Sequence, residues 1–238
     1  MNNVYIIIVE PVYKGNVGAV ARIMNNFEFN NLRIIGSIPE KDDFVMGVHS
    51  EHILSNAMIY ESFIEAISDL DRVIAFSRRV GKKKNEDFIA SEIGTYIKEA
   101  RNLKIGLVFG RETYGLTDEE AKLCDIRCRI PANKHFPSIN LAQSVTVILY
   151  EIYSTKTKNT NNKSTKEHLD TSINYTMEVL DSIDYFKSDP DKQETQDYLY
   201  KIMHRANSTK KMSLDLMKMF NRIYYKFHNR GKGFKHND

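Results

Sequence analysis

The sequence predicts an α/β fold with a parallel sheet, followed by a small all-helical domain. Short apolar runs of strand length, such as VYIIIV at 4–9 and IGLVF at 105–109, suit central strands covered on both faces. Amphipathic helical stretches lie between these runs, which is the pattern of βαβ units. A stretch without apolar residues, STKTKNTNNKS at 154–164, then precedes three further helical patterns.

Composition indicates an ordinary soluble protein. The 238 residues suffice for a domain of about 150 residues and a smaller second one. Apolar runs of membrane-spanning length are absent and the first ten residues lack the basic flank of a signal peptide, so we expect a cytoplasmic protein without membrane contact. Cys124 and Cys128 fit neither a disulfide framework nor zinc spacing, and His49 and His52 lack further ligands nearby. We therefore predict small core cysteines and no metal.

Charge is divided unevenly along the chain. Residues 1–153 contain 18 Lys and Arg against 20 Asp and Glu, whereas residues 154–238 contain 16 against 11. From Lys201 onward the counts are 10 basic and 2 acidic residues. This asymmetry is typical of a tail that meets polyanions, although a solvated basic tail that aids solubility stays an alternative.

The first hundred residues alternate between predicted strands and helices. Strands are predicted at 4–9, 32–35 and 73–76. Helices are predicted from Asn16 to Phe27, from Ala57 to Leu70 and from Ser91 to Ala100, because apolar residues recur there at helical spacing. The segment 36–48 is interpreted as a polar connection.

The segment 105–153 holds two strands that each end in a polar or glycine-containing loop. Gly110 ends the strand 105–109, and Thr117 with Glu120 forms a capping-box pattern for a helix through Leu123. A second strand, at 126–130, is stopped by Pro131 and is followed by the loop ANKHFPSIN and a helix from Leu141. Because adjacent strand ends meet at one edge of a parallel sheet, the two loops predict one shared ligand cleft.

Three amphipathic helices are predicted in the tail. The first runs through Leu169 to Ile183, and Asp189-Pro190 interrupts the pattern before a second helix at 194–206. The third helix is predicted to have Ser213 as its N-cap and to bury Tyr224 and Phe227 among its apolar residues. The last ten residues are predicted to be disordered.

Three motifs in this order resemble those of one enzyme family. FGRETYGLT at 109–117 and IPANKHFPSINLAQSVTVILYE at 130–151 resemble motifs 2 and 3 of the SPOUT RNA 2′-O-methyltransferases, in particular the TrmJ-like branch of the TrmH family. NVGAVARIMNNF at 16–27 resembles motif 1. The tail resembles the helical RNA-binding domain of that branch through HRAN at 204–207 and the basic helix that follows.

This resemblance implies a fold, a reaction and a set of site residues. It implies a SPOUT-type parallel-sheet domain at residues 1–153 with a deep trefoil knot in its carboxyl-terminal part, a linker at 154–164 and a basic helical RNA-binding extension at 165–238. The implied catalytic residues are Asn16, Arg22, Glu112, Ser138 and Asn140, with Arg22 activating the ribose 2′-hydroxyl. The implied pocket for S-adenosylmethionine contains Phe76, Ser77 and Arg78, where the family usually has Thr-Ser-Ala, together with Gly110, Ile130, Pro137, Ser138, Ile139 and Leu141.

Each site residue also has a simpler interpretation. Arg22 would be a surface cation, Asn16 an N-cap, and Glu112 a solvent-facing loop carboxylate. Two basic groups could hold RNA phosphates or be solvated: Arg79, Lys82, Lys83 and Lys84 in the first domain, and Lys210, Lys211, Arg222 and Lys226 in the tail.

The function that follows from the resemblance is ribose 2′-O-methylation of RNA with S-adenosylmethionine. tRNA position 32, in the anticodon loop, is the favoured substrate. The expected assembly is a homodimer in which motif 1 of the partner subunit completes the cleft. Two alternatives stay open. One is an rRNA 2′-O-methyltransferase, and the other is a non-catalytic RNA-binding relative with the same fold.

Overall fold

The computed structural model describes residues 2–13, 15–76, 88–156, 163–205 and 208–228. The chain divides into two compact units, Met1–Asn161 and Asn162–Asp238. Each unit has its own hydrophobic core. Among the described residues, no helix has the length and apolar character needed to cross a bilayer.

The first unit alternates strands and helices along the chain. In order they are β1 Val4–Val9, α1 Asn16–Asn26, β2 Asn31–Ile35, α2 Lys41–Met46, α3 Glu51–Ser55, β3 Met58–Tyr60, α4 Phe63–Ile67, β4 Arg72–Phe76, β5 Phe88–Ile89, α5 Ala90–Glu99, β6 Ile105–Phe109, α6 Asp118–Leu123, β7 Ile126–Arg129 and α7 Leu141–Ser154.

The described strands form one seven-stranded sheet in the order β3-β2-β1-β6-β4-β7-β5, and every neighbouring pair is parallel. The predicted α/β class with a parallel sheet, followed by a helical extension, is confirmed. The trefoil knot stays a prediction, because strand order does not by itself define how the chain is threaded. The carboxyl ends of β6, β4 and β7 lie side by side at one edge of the sheet.

Helices cover both faces of this sheet. One face packs against α1, α5 and α7, and the other packs against α4 and the segment around Leu116 and Cys124. β1 and β6 are therefore buried almost throughout, which is why both read as continuous apolar runs rather than alternating ones. Cys124 and Cys128 are buried free thiols within these cores, as the sequence predicts.

The helix α1 is seated tightly against α2. A Cβ on Gly18 would lie 1.9 Å from the Asp43 carbonyl oxygen, so only glycine permits this approach. The Gly18 amide also donates to Asp43 Oδ1 at 3.2 Å. α1 therefore has little freedom to shift along its partner.

Two predicted segments differ from the structure. The helix predicted at Ala57–Leu70 is instead β3 followed by α4, whose N-cap Ser62 accepts a hydrogen bond from the Glu65 amide. β3 exists because it pairs with Arg33–Ile35 of β2, and this pairing leaves no signal in the local apolar spacing. The segment 36–48, predicted to be a connection, contains α2, which is held by a capping box between Glu40 and Asp43.

The second unit contains α8 Lys166–Ser182, α9 Asp189–Arg205 and α10 Lys210–His228. Leu169, Ile173, Met177, Leu180 and Met203 form its core. α9 begins five residues earlier than predicted, since Pro190 is compatible with the first turn of a helix. The residues 229–238, predicted to be disordered, lie outside the described residues.

The start of α10 also differs from the prediction. Ser213 is not an N-cap, because the helix already begins at Lys210 and Ser213 is buried within it. The Ser213 hydroxyl shares a 2.7 Å hydrogen bond with the hydroxyl of Ser164, a residue that the sequence places in the linker. The Ser164 amide donates to the Ser208 carbonyl at 2.7 Å, so this end of the predicted linker is part of the second unit.

Candidate active site

A pocket lies at the carboxyl ends of β4, β6 and β7. Its lining comes from the last residues of β4 and β6, the residue after β7, the loop 110–115, the loop before α7 and the first turn of α7. The lining residues are Phe76, Phe109, Gly110, Arg111, Glu112, Thr113, Tyr114, Gly115, Ile130, Pro137, Ser138, Ile139, Leu141 and Ser144. This is the edge at which parallel sheets bind ligands.

One wall of the pocket is apolar. Phe76 and Phe109 are register partners in β4 and β6, and their rings stack with centroids 4.7 Å apart and planes inclined by 12°. Ile130 and Leu141 also line the pocket, and Leu141 is buried as the first residue of α7. A flat aromatic ligand would find an apolar surface here.

The loop after β6 folds back on itself as a tight turn. The Arg111 amide donates to the Gly115 carbonyl at 3.1 Å, and the Gly115 amide donates to the Arg111 carbonyl at 2.8 Å. Gly115 has a φ of 78°, a conformation that favours glycine. A Cβ on Gly110 would lie 2.3 Å from the Gly115 backbone carbon. Gly110 is therefore required by the loop's own backbone, which crosses directly over it.

Arg111 anchors this loop through hydrogen bonds to two carboxylates. Its guanidinium donates to Glu10 Oε1 and Oε2 at 2.7 and 2.8 Å and to Glu120 Oε2 and Oε1 at 2.9 and 3.0 Å. The Arg111 side chain is only 6% exposed. These bonds join the end of β1, the pocket loop and the start of α6, so Arg111 fixes the loop between two elements.

The three charged groups change one another's pKa values. The carboxylates of Glu10 and Glu120, which accept hydrogen bonds from Arg111, raise the pKa of Arg111, and the hydrogen bond from Arg111 lowers the pKa of Glu10. Burial acts to raise the pKa of Glu120, but bonds from Arg111 and the Thr117 amide outweigh it and lower that pKa. All three groups therefore stay ionised at neutral pH. Motif 2 contains Arg111, but sequence reasoning missed its role because Glu10 lies 101 residues away.

Glu112 connects the pocket to the loop before α1. Its carboxylate accepts hydrogen bonds from the Val12 amide at 2.9 Å, the Tyr13 amide at 3.3 Å and Asn16 Nδ2 at 2.6 Å. Burial acts to raise the pKa of Glu112, but these hydrogen bonds lower it below its ordinary value. The interpretation of Glu112 as a solvent-facing carboxylate is wrong, because it holds motif 1 against motif 2.

Asn16 is not the N-cap of α1. Gly15 occupies that position with a φ of 79°, and Asn16 is the first residue of the helix. Its side chain is free to bond Glu112 because it does not cap the helix. Asn16 and Glu112 are thus brought together by the structure.

Asn140 is the N-cap of α7. Its Oδ1 accepts from the Ala142 amide at 2.9 Å and from the Gln143 amide at 3.4 Å. The three residues before it, Pro137, Ser138 and Ile139, line the pocket. Asn140 therefore fixes the direction in which this loop enters the helix, beside the lining itself.

Arg22 lies apart from the other residues of the predicted site. It is exposed on α1, and it does not belong to the lining of the pocket in its own chain. Ser77, Arg78, Arg79, Lys82, Lys83 and Lys84 lie outside the described residues. The four tail residues Lys210, Lys211, Arg222 and Lys226 are exposed on α10.

The described residues contain no group of three or more His, Cys, Asp or Glu side chains placed to hold a metal ion. His49 and His52 are both exposed, and His49 has a φ of 64°. The pocket lining instead contains six residues with polar side chains: Arg111, Glu112, Thr113, Tyr114, Ser138 and Ser144.

Comparison with known proteins defines the class of this fold and site. A family model described as the SpoU rRNA Methylase family matches residues 3–150, more than half of the chain. The chain therefore belongs to the SpoU methylase family, and the predicted membership of the TrmH-type methyltransferases is confirmed. Methyltransferases of this family bind S-adenosylmethionine.

The chain is also similar to individual proteins. The chain is 45% identical over 159 residues to a tRNA (cytidine-2′-O-)-methyltransferase TrmJ of Methanocaldococcus jannaschii, a match that spans 65% of this chain and 69% of the relative. A probable methylase family protein from Haemophilus influenzae is 26% identical with a TM-score of 0.70, covering 95% of this chain and 98% of that chain. A structure that concerns 2-OH methylation of C/U34 on tRNA shares the fold, at 24% identity and a TM-score of 0.51 over 63% and 93% of the two chains.

The residues around the pocket fit S-adenosylmethionine. The wall of Phe76, Phe109, Ile130 and Leu141 suits an adenine ring, and the loops opposite offer backbone hydrogen-bond partners. A Cβ on Gly115 would meet no heavy atom within 4 Å, so space beside this part of the lining is open for a ligand.

Proposed function

We propose that the chain transfers a methyl group from S-adenosylmethionine to a ribose 2′-hydroxyl of tRNA, in the anticodon loop. The observation that carries the proposal is the hydrogen bond between Asn16 and Glu112, which joins the helix bearing Arg22 to the lining of the pocket. The TrmJ relative at 45% identity supports tRNA, and its name supports cytidine as the modified nucleoside.

The pocket residues have separate tasks in this proposal. Phe76, Ile130 and Leu141 would hold the adenine against the apolar wall, with Ile139 beside it in the lining. Ser138 and the backbone at Gly110 and Gly115 provide polar contacts. The bound cofactor supplies an electrophilic sulfonium methyl group, so the protein's contribution is mainly to hold the 2′-oxygen in line with it.

Arg22 supplies charge rather than base strength. Its guanidinium stabilises the negative charge that develops on the 2′-oxygen as the methyl group is transferred. A guanidinium has donors and no acceptor, so the proton of the 2′-hydroxyl passes to solvent or to an RNA phosphate. This role requires Arg22 to face a bound ribose, and in its own chain it lies outside the pocket lining.

We infer a homodimer in which Arg22 completes the pocket of the partner subunit. An aromatic cluster at the end of α1 and on α7 supports this interface. The ring centroid of the half-buried Phe27, which directly follows α1, lies 6.3 Å from that of Tyr150 and 5.6 Å from that of Tyr153. Tyr150 is 57% exposed and Tyr153 is 47% exposed. Burial of such a cluster beneath a second copy of the chain favours association of the two copies.

The domain roles and the modified position are part of the same proposal. Residues 1–153 carry the chemistry, and residues 165–238 form a basic extension that holds RNA. Position 32 is the proposed target. The structural relative concerned with C/U34 shares the fold alone, so position 34 enters as an alternative outcome.

Purified full-length protein should be incubated with unmodified tRNA and methyl-labelled S-adenosylmethionine, and ribose methylation mapped by mass spectrometry of nuclease fragments. We expect one 2′-O-methylated nucleotide in the anticodon loop. Methylation of rRNA but not tRNA would favour the rRNA alternative. Cofactor binding without transfer to either RNA, or no cofactor binding, would contradict the proposal and favour an RNA-binding relative.

A further inference from the structure

The solvent-facing side of α10 carries a stripe of cations that ends in an aromatic ring. Lys211, Lys218, Arg222 and Tyr225 are spaced at i, i+7, i+11 and i+14, so they share one face of the helix. All four are exposed, and Tyr225 is 58% exposed. This face lies opposite the one that carries Leu216 and Phe220, which pack against the core of the second unit.

The stripe is strongly basic. α10 contains five Lys and Arg residues and one acidic residue, Asp215, which lies 3.6 Å from Lys218. Within the described part of the chain, Lys211 and Arg222 have no carboxylate partner. The neighbouring helix α9 contains four acidic and three basic residues, so the positive charge belongs to α10 specifically. A polyanion is the partner that this charge favours.

Exposed aromatic rings lie at the carboxyl end of α10, next to the cations of the stripe. Tyr224 and Phe227, predicted to be buried, are 36% and 47% exposed. The Tyr224 ring stacks on His228 with centroids 4.1 Å apart, and it meets Tyr225 edge-on at 5.8 Å. Tyr225 is therefore supported from one side, while more than half of its surface remains open to a planar group.

We propose that this stripe binds an unpaired RNA segment, with phosphates on Lys211, Lys218 and Arg222 and a nucleobase stacked on Tyr225. Cations beside an exposed aromatic ring are the combination that recognises single strands. A base inside a duplex is already stacked on its neighbours and cannot lie flat on the ring. The inference rests on the proposed function for its substrate, tRNA, and narrows the contact to unpaired nucleotides.

The absence of tryptophan from the chain allows a direct test. The full-length Tyr225→Trp variant carries one indole, at the stacking position. Single-stranded oligouridylate of about 12 nucleotides should quench its emission in a saturable way, because a base stacks on the indole. Heparin, a polyanion without bases, should bind the variant and leave the emission nearly unchanged.

The matched control is Tyr198→Trp on α9, where the tyrosine is 62% exposed but lies on the more acidic helix. Its emission should not respond to the oligonucleotide. Equal quenching in both variants, or equal quenching of Tyr225→Trp by heparin, would overturn the stacking contact. An emission change that depends on protein concentration without RNA would identify a self-association surface instead, and would also overturn it.

Affinity measurements separate stacking from charge. Tyr225→Ala should weaken oligouridylate binding about 5- to 100-fold, and Tyr225→Phe should retain nearly all of it. Lys211→Gln and Arg222→Gln should instead each reduce the slope of log K against log salt by about 0.7. Unchanged affinity in Tyr225→Ala would contradict the proposal.

The outcome can be distinguished from failure of the proposed function. Methyl transfer to tRNA by the wild type, together with a silent indole at position 225, would refute this inference alone. Selective quenching without any methyl transfer would refute the enzymatic proposal alone, and the stripe would remain an RNA-binding surface.

Discussion

Asn16 Nδ2 donates a hydrogen bond of 2.6 Å to Glu112 Oε1, across 96 residues of sequence. The same carboxylate accepts from the amides of Val12 and Tyr13, so it holds the loop before α1 by two bonds and the first residue of α1 by a third. Because Arg22 lies on that helix, the position of the proposed charge-stabilising group depends on a carboxylate in the pocket loop. We infer from this relationship that Asn16 and Glu112 contribute by positioning α1.

Glu112→Gln should lower the rate of methyl transfer roughly 10- to 100-fold, since a small displacement of α1 misaligns the reacting groups. With its nitrogen at the position of Oε1, the new amide meets the donors of Asn16 and Tyr13, and both bonds are lost. The rate at saturating cofactor and RNA should fall more than cofactor affinity, measured by calorimetry.

Reversing the polarity of the pair provides the control. In the double variant Asn16→Asp with Glu112→Gln, the new Asp accepts from the Gln amide nitrogen at the position of Oε1, and the Gln oxygen still accepts from the Val12 amide. Only the longer bond from the Tyr13 amide is not restored. Asp is also favourable in the first turn of a helix. We expect the double variant to recover most of the lost rate. A double variant as slow as the worse single one would show that the hydrogen bond is not the reason for the loss.

Gly110→Ala should destabilise the pocket loop and weaken cofactor binding together. The added Cβ would lie 2.3 Å from the Gly115 carbon, so the backbone must move. A loss of about 2–3 kcal/mol in the free energy of unfolding is expected, by analogy with overpacking. Urea denaturation and calorimetry would measure the two effects.

Gly115→Ala is the matched variant, because its Cβ meets nothing within 4 Å but its φ of 78° is strained for alanine. It should cost only about 1 kcal/mol. Equal stability of the two variants would mean that backbone crowding at Gly110 is not limiting.

The central strands could be predicted from the sequence, and the contacts that build the site could not. β1 and β6 are buried on both faces, so their apolar runs identify them without tertiary information. β3 is defined only by its pairing with β2, and its residues fit a helical pattern equally well. The sequence also predicted a cleft at adjacent strand ends, and the structure has a pocket there.

The partners of charged site residues are distant in sequence, which is why their roles were missed. Nothing in the sequence near Arg111 indicates that its guanidinium donates hydrogen bonds to Glu10, which lies 101 residues away along the chain. Asn16 matches an N-cap by position, and only the structure puts Gly15 there. Local patterns predict the central strands, whereas the N-cap of α1 and the long-range polar contacts require the folded chain.

The free energy of unfolding should fall as the pH is lowered below the ordinary glutamate value of 4.5. Glu10 and Glu120 have folded-state pKa values below their unfolded ones, so their stabilisation is complete above 4.5 and is lost as pH falls through the lowered values. In Arg111→Gln the main cause of both shifts is removed. The slope of stability against pH between about 3 and 5 should therefore be shallower than in the wild type.

Arg111→Gln should also lose about 3 kcal/mol at pH 7, the lower end of the range for a broken buried ion pair, because Glu10 is half exposed. Chemical denaturation at a series of pH values gives both quantities. An unaltered slope in the variant would show that these carboxylates do not titrate with the fold. Lys104→Gln is a suitable control, since Lys104 is exposed and contacts a different carboxylate, Asp69.

The last prediction concerns the second copy of the chain. Arg22→Ala should abolish methyl transfer while leaving cofactor affinity nearly unchanged, because Arg22 lies outside the lining of its own pocket. Ser144→Trp should block the pocket itself, since Ser144 belongs to the lining, and should abolish cofactor binding. Each variant alone is then inactive for a different reason.

Mixing equal amounts of the two variants tests whether a site is shared between subunits. In a mixed dimer the unblocked pocket of the Arg22→Ala subunit meets the intact Arg22 of the Ser144→Trp subunit, so one of two sites is complete. Random exchange makes half of the dimers mixed, and activity should return to about a quarter of the wild-type value. Sedimentation would establish that dimers are present. If the exchanged mixture stays inactive, Arg22 and the pocket act within one chain, and α1 must move toward its own cleft for the chemistry to occur.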